Sequence, residues 1–194
     1  MSCIKKIQID DTIYEANTDF RIAIECNRIA TDNTIGDFER ALGIIYTMFG
    51  DKGLSNPSHY SKLLKWILKY LSCGQEIDNS KEQPDMDYIE DEKYIKSSFK
   101  YDYKYNPYEL DYLSWDDFYN DLNNLSNSEL GNCCILNRIR NIRNLDLSQI
   151  KDIKEREKLA KVKEQVALKK YKKENNLTKE QEESMERLNK ILGL

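Results

Sequence analysis

The fold turns on residues 113–125, Leu113-Ser114-Trp115-Asp116-Asp117-Phe118-Tyr119-Asn120-Asp121-Leu122-Asn123-Asn124-Leu125. Trp115, Phe118, Leu122 and Leu125 recur at offsets of three, four and three, which puts them on one face of a helix. Asp116, Asp117, Asn120 and Asp121 fall on the other faces, so the apolar face must be buried against another element. Upstream, an acidic helix starting near Asp91 and carrying Tyr94, Ile95 and Phe99 leads into this stretch through a Tyr-rich link. Downstream, Ser126 offers an N-cap to a further helix. There Leu130, Cys134, Ile135, Ile139 and Ile142 turn inward, and Arg138, Arg140 and Arg143 crowd the far end.

Before this region the pattern is also helical, after a short exception. Ile7 and Ile9 alternate ahead of Asp10-Asp11, and Ile13 with Tyr14 resume after it, which predicts a β-hairpin over residues 4–16. Thr18 or Asp19 caps a first helix with Phe20, Ala23 and Ile24 on one side, and Asp32-Asn33-Thr34 ends it. From Asp37, Phe38, Ala41, Leu42, Ile45 and Phe49 predict a second buried stripe that Gly50 closes. Pro57 opens a third helix burying Tyr60, Leu63, Leu64, Ile67 and Leu71 until Cys73-Gly74. Residues 74–85 are polar, contain Pro84 and read as an exposed linker.

After Arg143 the composition shifts. Ser148 can cap a long charged helix reaching about Glu174, with a thin stripe of Ile150, Ile153, Leu159, Val162, Val166 and Tyr171. Thr178 and Gln181 resemble a capping box, and Met185, Leu188, Ile191 and Leu192 mark a final amphipathic helix. A helix with so thin a stripe is rarely stable alone, so these two are expected to fold back or to dock on a partner. The expected architecture is mainly α: a helical core over residues 1–143 with the N-terminal hairpin, and a charged helical extension over 144–194.

Composition narrows the function classes. Of 194 residues, 40% are hydrophobic and 33% charged, with seven Gly and three Pro, which suits a charge-rich helical protein rather than a turn-rich β architecture. The net charge of −4 gives no overall footprint for nucleic acid. Residues 151–190 run against it, with 13 Lys and Arg against 9 Asp and Glu. Five cysteines, Cys3, Cys26, Cys73, Cys133 and Cys134, show neither disulfide nor zinc spacing. Met1–Lys6 lacks the apolar run of a signal peptide, and no apolar segment approaches the roughly 20 residues of a membrane span. A reducing cytoplasm is the expected setting.

Candidate chemistry is sparse. Asp85, Asp87, Glu90, Asp91 and Glu92 lack the spacing of a calcium loop and read as carboxylates favouring a helix N-terminus. Asp116 and Asp117 with Asp121 could be read as an acid–base pair, but adjacent carboxylates diverge on a helix and nothing nearby signals an electrophile or a pocket. His59 is the single histidine, too few for a His-based metal site. No phosphate-cradling loop or nucleophile elbow occurs, so neither an enzyme nor a cofactor is expected. Tyr101, Tyr103, Tyr105 and Tyr108, with Lys100 and Lys104 nearby, suit base stacking or a protein contact; Asp102, Glu109 and Asp111 favour the latter. Arg138, Arg140 and Arg143 can pair with the acidic helix or with a partner's carboxylates.

The order of motifs resembles the bacteriophage gene-product-fifteen family of tail-module proteins. The resemblance is carried by Asp19-Phe20-Arg21, Asp91 with Tyr94-Ile95, Ser98-Phe99, Tyr105 and Asp111, Leu113-x-Trp115-x-x-Phe118, and Ile139-Arg140 or Ile142-Arg143, over roughly residues 4–143. Where the family usually has a His and a second Trp beside the first, this chain has Ser114 and Asp116, which weakens a binding role tied to the aromatic pair. The resemblance implies a protein of a long-tailed phage, acting as a tail assembly chaperone in the host cytoplasm. Such a protein coats the tape-measure protein and helps recruit tail-tube protein.

On this reading the candidate partner-binding residues are Tyr101, Tyr103, Tyr105, Tyr108, Trp115, Arg138, Arg140 and Arg143, with self-association also open. The alternatives are a structural component retained in the phage particle and a helical nucleic-acid-binding regulator using Lys169, Lys170, Lys172 and Lys173. Net charge disfavours the second.

Overall fold

In the computed structural model, the described residues are 5–75, 84–127 and 133–169. They form one two-stranded antiparallel sheet and eight α-helices, the mainly α fold with a small hairpin that the sequence predicts. The hairpin joins β1 (Lys5–Ile9) to β2 (Thr12–Ala16), with Ile7 opposite Tyr14. Its turn has no glycine; Asp10 takes the left-handed conformation (φ 51°), which short polar side chains tolerate better than bulky ones.

Next come α1 (Phe20–Ala30), α2 (Asp37–Phe49), the single-turn α3 (Asp51–Leu54) and α4 (Tyr60–Leu71). The Asp19 carboxylate accepts the Arg21 N–H at 2.9 Å and so caps α1. Gly50 closes α2 at φ 63°, a conformation that disfavours any residue with a Cβ. Gly53 serves close approach instead: a Cβ there would stand 2.8 Å from the Ile45 and Phe49 side chains. The sequence pattern does not separate α3 from its neighbours. The α2 stripe is also displaced from the expected one. Ile44, Ile45, Met48 and Phe49 are buried, whereas Phe38 is 66% exposed. The buried β2 side chains and the close approach at Gly53 draw the C-terminal half of α2 inward, leaving its first turn outside.

The second half contains α5 (Glu92–Asp102), α6 (Trp115–Asn123), α7 (Ile135–Asn144) and α8 (Ile153–Val166). The stripe of Trp115, Phe118, Leu122 and Leu125 is buried throughout, and the Ser114 hydroxyl caps α6 by accepting the Asp117 N–H at 3.1 Å. Cys134 stands at the N-cap of α7, where Ser126 was expected. Ser126 is held elsewhere, its N–H and hydroxyl both donating to the Asp102 carboxylate at the end of α5 (2.7 and 3.0 Å). Leu136, Asn137 and Ile139 form the buried side of α7, while Ile135 and Ile142 are only half-buried; Leu130 lies outside the described residues.

α8 is shorter than the expected helix from Ser148 to Glu174. Asp146 binds the N–H and hydroxyl of Ser148 in a separate 3-10 turn (Leu147–Gln149), and Asp152 supplies the true cap by accepting the Glu155 N–H. At the other end, Arg143 Nε donates to the Val166 carbonyl at 2.7 Å and Leu168 turns inward to a buried position. α8 thus folds back on α7. The expected final helix, and most of the 74–85 linker, lie outside the described residues.

The halves meet at an aromatic core. Phe118 stacks between Phe20 and Phe99 (centroids 4.4 and 5.5 Å), with Trp115 at 5.9 Å. Each of these rings contributes roughly 1.5–3 kcal/mol by leaving water. The caps of α1 and α6 are joined as well. The Phe20 N–H donates to the Leu113 carbonyl and the Trp115 N–H to the Thr18 carbonyl, both at 2.9 Å, in an isolated bridge between Asp19 and Ser114.

Burial also governs the thiols. Cys26 is enclosed between α1 and α2, and burial, helped by the Glu25 carboxylate, pushes its pKa up to about 12. Because the thiolate is the nucleophile, iodoacetamide at pH 8 is expected to spare Cys26 in the native chain and to label it once urea unfolds the protein. Native labelling at the rate of a free thiol would contradict this packing.

Candidate functional site

The residues expected to bind a partner are, for the most part, woven into the core. Trp115 is 1% exposed, and its indole N–H donates to the Leu71 carbonyl at 3.1 Å. Tyr103 and Tyr105 flank Phe99 edge-on, at 5.6 and 5.7 Å. Both hydroxyls donate to Asp121, Tyr103 to its carbonyl and Tyr105 to its carboxylate. Burial and then the Asp121 bond hold the Tyr105 phenol above its ordinary range. Tyr108 packs edge-on against Phe20 at 5.1 Å, with Lys96 Nζ 4.7 Å from its ring centroid. Tyr101 is the outward member of the run, 61% exposed.

The three arginines diverge. Arg143 makes two bonds to the Asp91 carboxylate, at 2.6 and 2.8 Å, and a third to the Asp85 carbonyl at 2.8 Å. Asp91 is 1% exposed, so this is a buried ion pair. Arg140 pairs with the Asp85 carboxylate at 3.1 Å. Arg138 is solvent-exposed, with one N–H on the Cys133 carbonyl. The acidic stretch around Asp91 therefore serves chain closure: Asp87 accepts the Ile89 and Glu90 N–H groups in a turn, and Asp91 receives the guanidinium.

His59 is buried and occupied at both ring nitrogens. The Tyr14 hydroxyl lies 2.7 Å from Nδ1, while Asn56 Nδ2 and the Asp10 carboxylate each lie 3.1 Å from Nε2. It fastens the hairpin to the start of α4. Among the described residues no group of three or more His, Cys, Asp or Glu side chains is arranged to hold a metal ion, and no helix is long and apolar enough to cross a membrane.

Two surfaces that sequence reasoning missed are open. On α2, Phe38 and Tyr46 are 66% and 51% exposed, with half-buried Leu42 between them at four-residue spacing and Ile35 just before the helix. These side chains form an apolar seam on one helical line. The sequence carries the signal as a second line of apolar residues beside Ile44, Ile45 and Met48, and Phe38 belongs to that line rather than to the buried stripe. The other surface is a groove of about 410 Å³ between α1 and residues 84–90, lined by Ile24, Met86, Tyr88 and Ile89 together with Arg28, Asp87 and Glu90. Both surfaces suit the capture of apolar side chains from a helix, and neither offers a nucleophile or an activated base.

Residues 2–168 match the family model described as Bacteriophage Gp15 protein. The match runs beyond Arg143 and takes in α8. No curated protein and no solved structure matches the chain.

Proposed function

Since the chain belongs to the Bacteriophage Gp15 protein family, we propose that it is a tail assembly chaperone that binds the tape-measure protein by covering apolar stripes on that long helical client. The observation that carries this reading is the α2 seam, where Phe38 and Tyr46 stand in water on a helix whose other side is packed. Large apolar side chains aligned on a rigid helix suit a helical ligand, because they need little reordering on binding. Covering the client's stripe would keep it from aggregating until tail-tube subunits replace the chaperone. The work is binding without catalysis, in the host cytoplasm, and the chaperone leaves before the particle is complete.

The test is co-expression with the tape-measure protein of the same phage. Wild type is expected to co-purify with that client and to raise its solubility. The Phe38→Asp/Tyr46→Asp double variant is expected to lose roughly tenfold or more in affinity, about 1.4 kcal/mol, while keeping its urea midpoint. Retained binding by the double variant would remove the seam from the site. Failure of wild type to bind a folded client, together with the chain's presence in purified particles by mass spectrometry, would replace the chaperone with a structural tail component.

A further inference from the structure

The groove between α1 and residues 84–90 lies where the chain leaves α8. The Lys169 N–H donates to the Glu90 carboxylate at 2.7 Å, and Glu90 lines the groove. Leu168, one residue earlier, is buried. The backbone is therefore pinned at the lip of an apolar cleft just before residues 170–194, which lie outside the described residues. Their sequence complements the cleft in two respects. Lys170, Lys172 and Lys173 come first in sequence, opposite in sign to Asp87 and Glu90, which line the groove together with Arg28. Met185, Leu188, Ile191 and Leu192 follow at offsets of three, three and one, an apolar helical spacing to set against a groove in which Ile89 is left 50% exposed.

We propose that this groove is the docking site of the chain's own C-terminal segment, residues 177–194, bound in cis. The tether makes the association intramolecular, with an effective concentration on the order of millimolar, so modest contacts suffice to fill the cleft. The α2 seam is a separate surface, and the inference stands whether or not a helical client binds there.

Photocrosslinking in the full chain decides it. The half-exposed Ile89 is replaced by p-benzoylphenylalanine, and light and heavy nitrogen-labelled chains are mixed in equal amounts, irradiated, digested and mapped by mass spectrometry. Adducts are expected within residues 177–194, between fragments of one isotope label. In Leu188→Asp/Ile191→Asp the adduct yield is expected to fall roughly tenfold, since tethering alone then remains without docking. Adducts joining light to heavy fragments would make a second copy the occupant and overturn the proposal. So would adducts confined to residues 5–169, or an undiminished yield in the Asp variant. A second reading uses the otherwise native chain. Leu188→Asp/Ile191→Asp is expected to raise the fluorescence of bound anilinonaphthalene sulfonate about twofold as the cleft is uncovered, and no rise would overturn the proposal.

Discussion

Replacing Arg143 by Ala is expected to lower stability by about 3–5 kcal/mol, read as a fall in the urea midpoint with little change in slope. The magnitude comes from what remains behind. Asp91, 1% exposed, is left without its counter-ion, and the Asp85 and Val166 carbonyls lose a donor at the same stroke. One side chain ties the start of α5, the end of α7, the turn before α5 and the exit of α8 together. Arg143→Lys is expected to recover only part of the loss, because an ammonium cannot present the fork that meets both Asp91 oxygens. A paired Asp91→Leu/Arg143→Met variant is expected to be closer to wild type than Arg143→Ala, since it removes both charges. If Arg143→Ala costs under about 1 kcal/mol, water reaches Asp91 and the pair is effectively a surface one.

The second large effect belongs to Trp115. Trp115→Ala is expected to cost about 3–5 kcal/mol, measured by the same denaturation, through loss of ring volume beside Phe118, Tyr119 and Tyr88. Trp115→Phe retains a ring but cannot donate to the Leu71 carbonyl, and is expected to cost less. A binding defect in Trp115→Ala would therefore report a weakened fold. Phe38→Asp and Tyr46→Asp change exposed side chains and give the cleaner test of a docking role. A loss under about 1 kcal/mol for Trp115→Ala would mean that the core closes over the missing indole.

Periodicity made the core legible where one side chain line dominated. Trp115, Phe118, Leu122 and Leu125 have Asp and Asn on the remaining faces, so only one burial pattern fits, and all four are buried. α2 carries apolar residues on two adjoining lines, and the choice between Phe38 and Ile44 depends on β2 and α3, which sequence spacing does not place. Helix limits went astray for a related reason. Ser126 and Ser148 are good caps in isolation, but Asp102 and Asp146 claim their hydrogen bonds first. The Tyr run was visible as a feature, yet its placement was not. A phenol serves an interior as readily as a surface, and the Asp121 acceptor that holds Tyr103 and Tyr105 comes from another helix.

The join between the caps of α1 and α6 bears on how the chain is made. Asp19 and Ser114 emerge from a ribosome about 95 residues apart, an interval of roughly 5–20 s at typical rates of synthesis. Through that interval the hairpin and α1–α4 lack the Leu113 carbonyl that receives the Phe20 N–H, and Phe20 lacks Phe118 to stack on. The nascent N-terminal half therefore shows an unfinished aromatic face to its surroundings, and completion waits on α6. Until α6 is made, the protection of that face rests on the speed of translation.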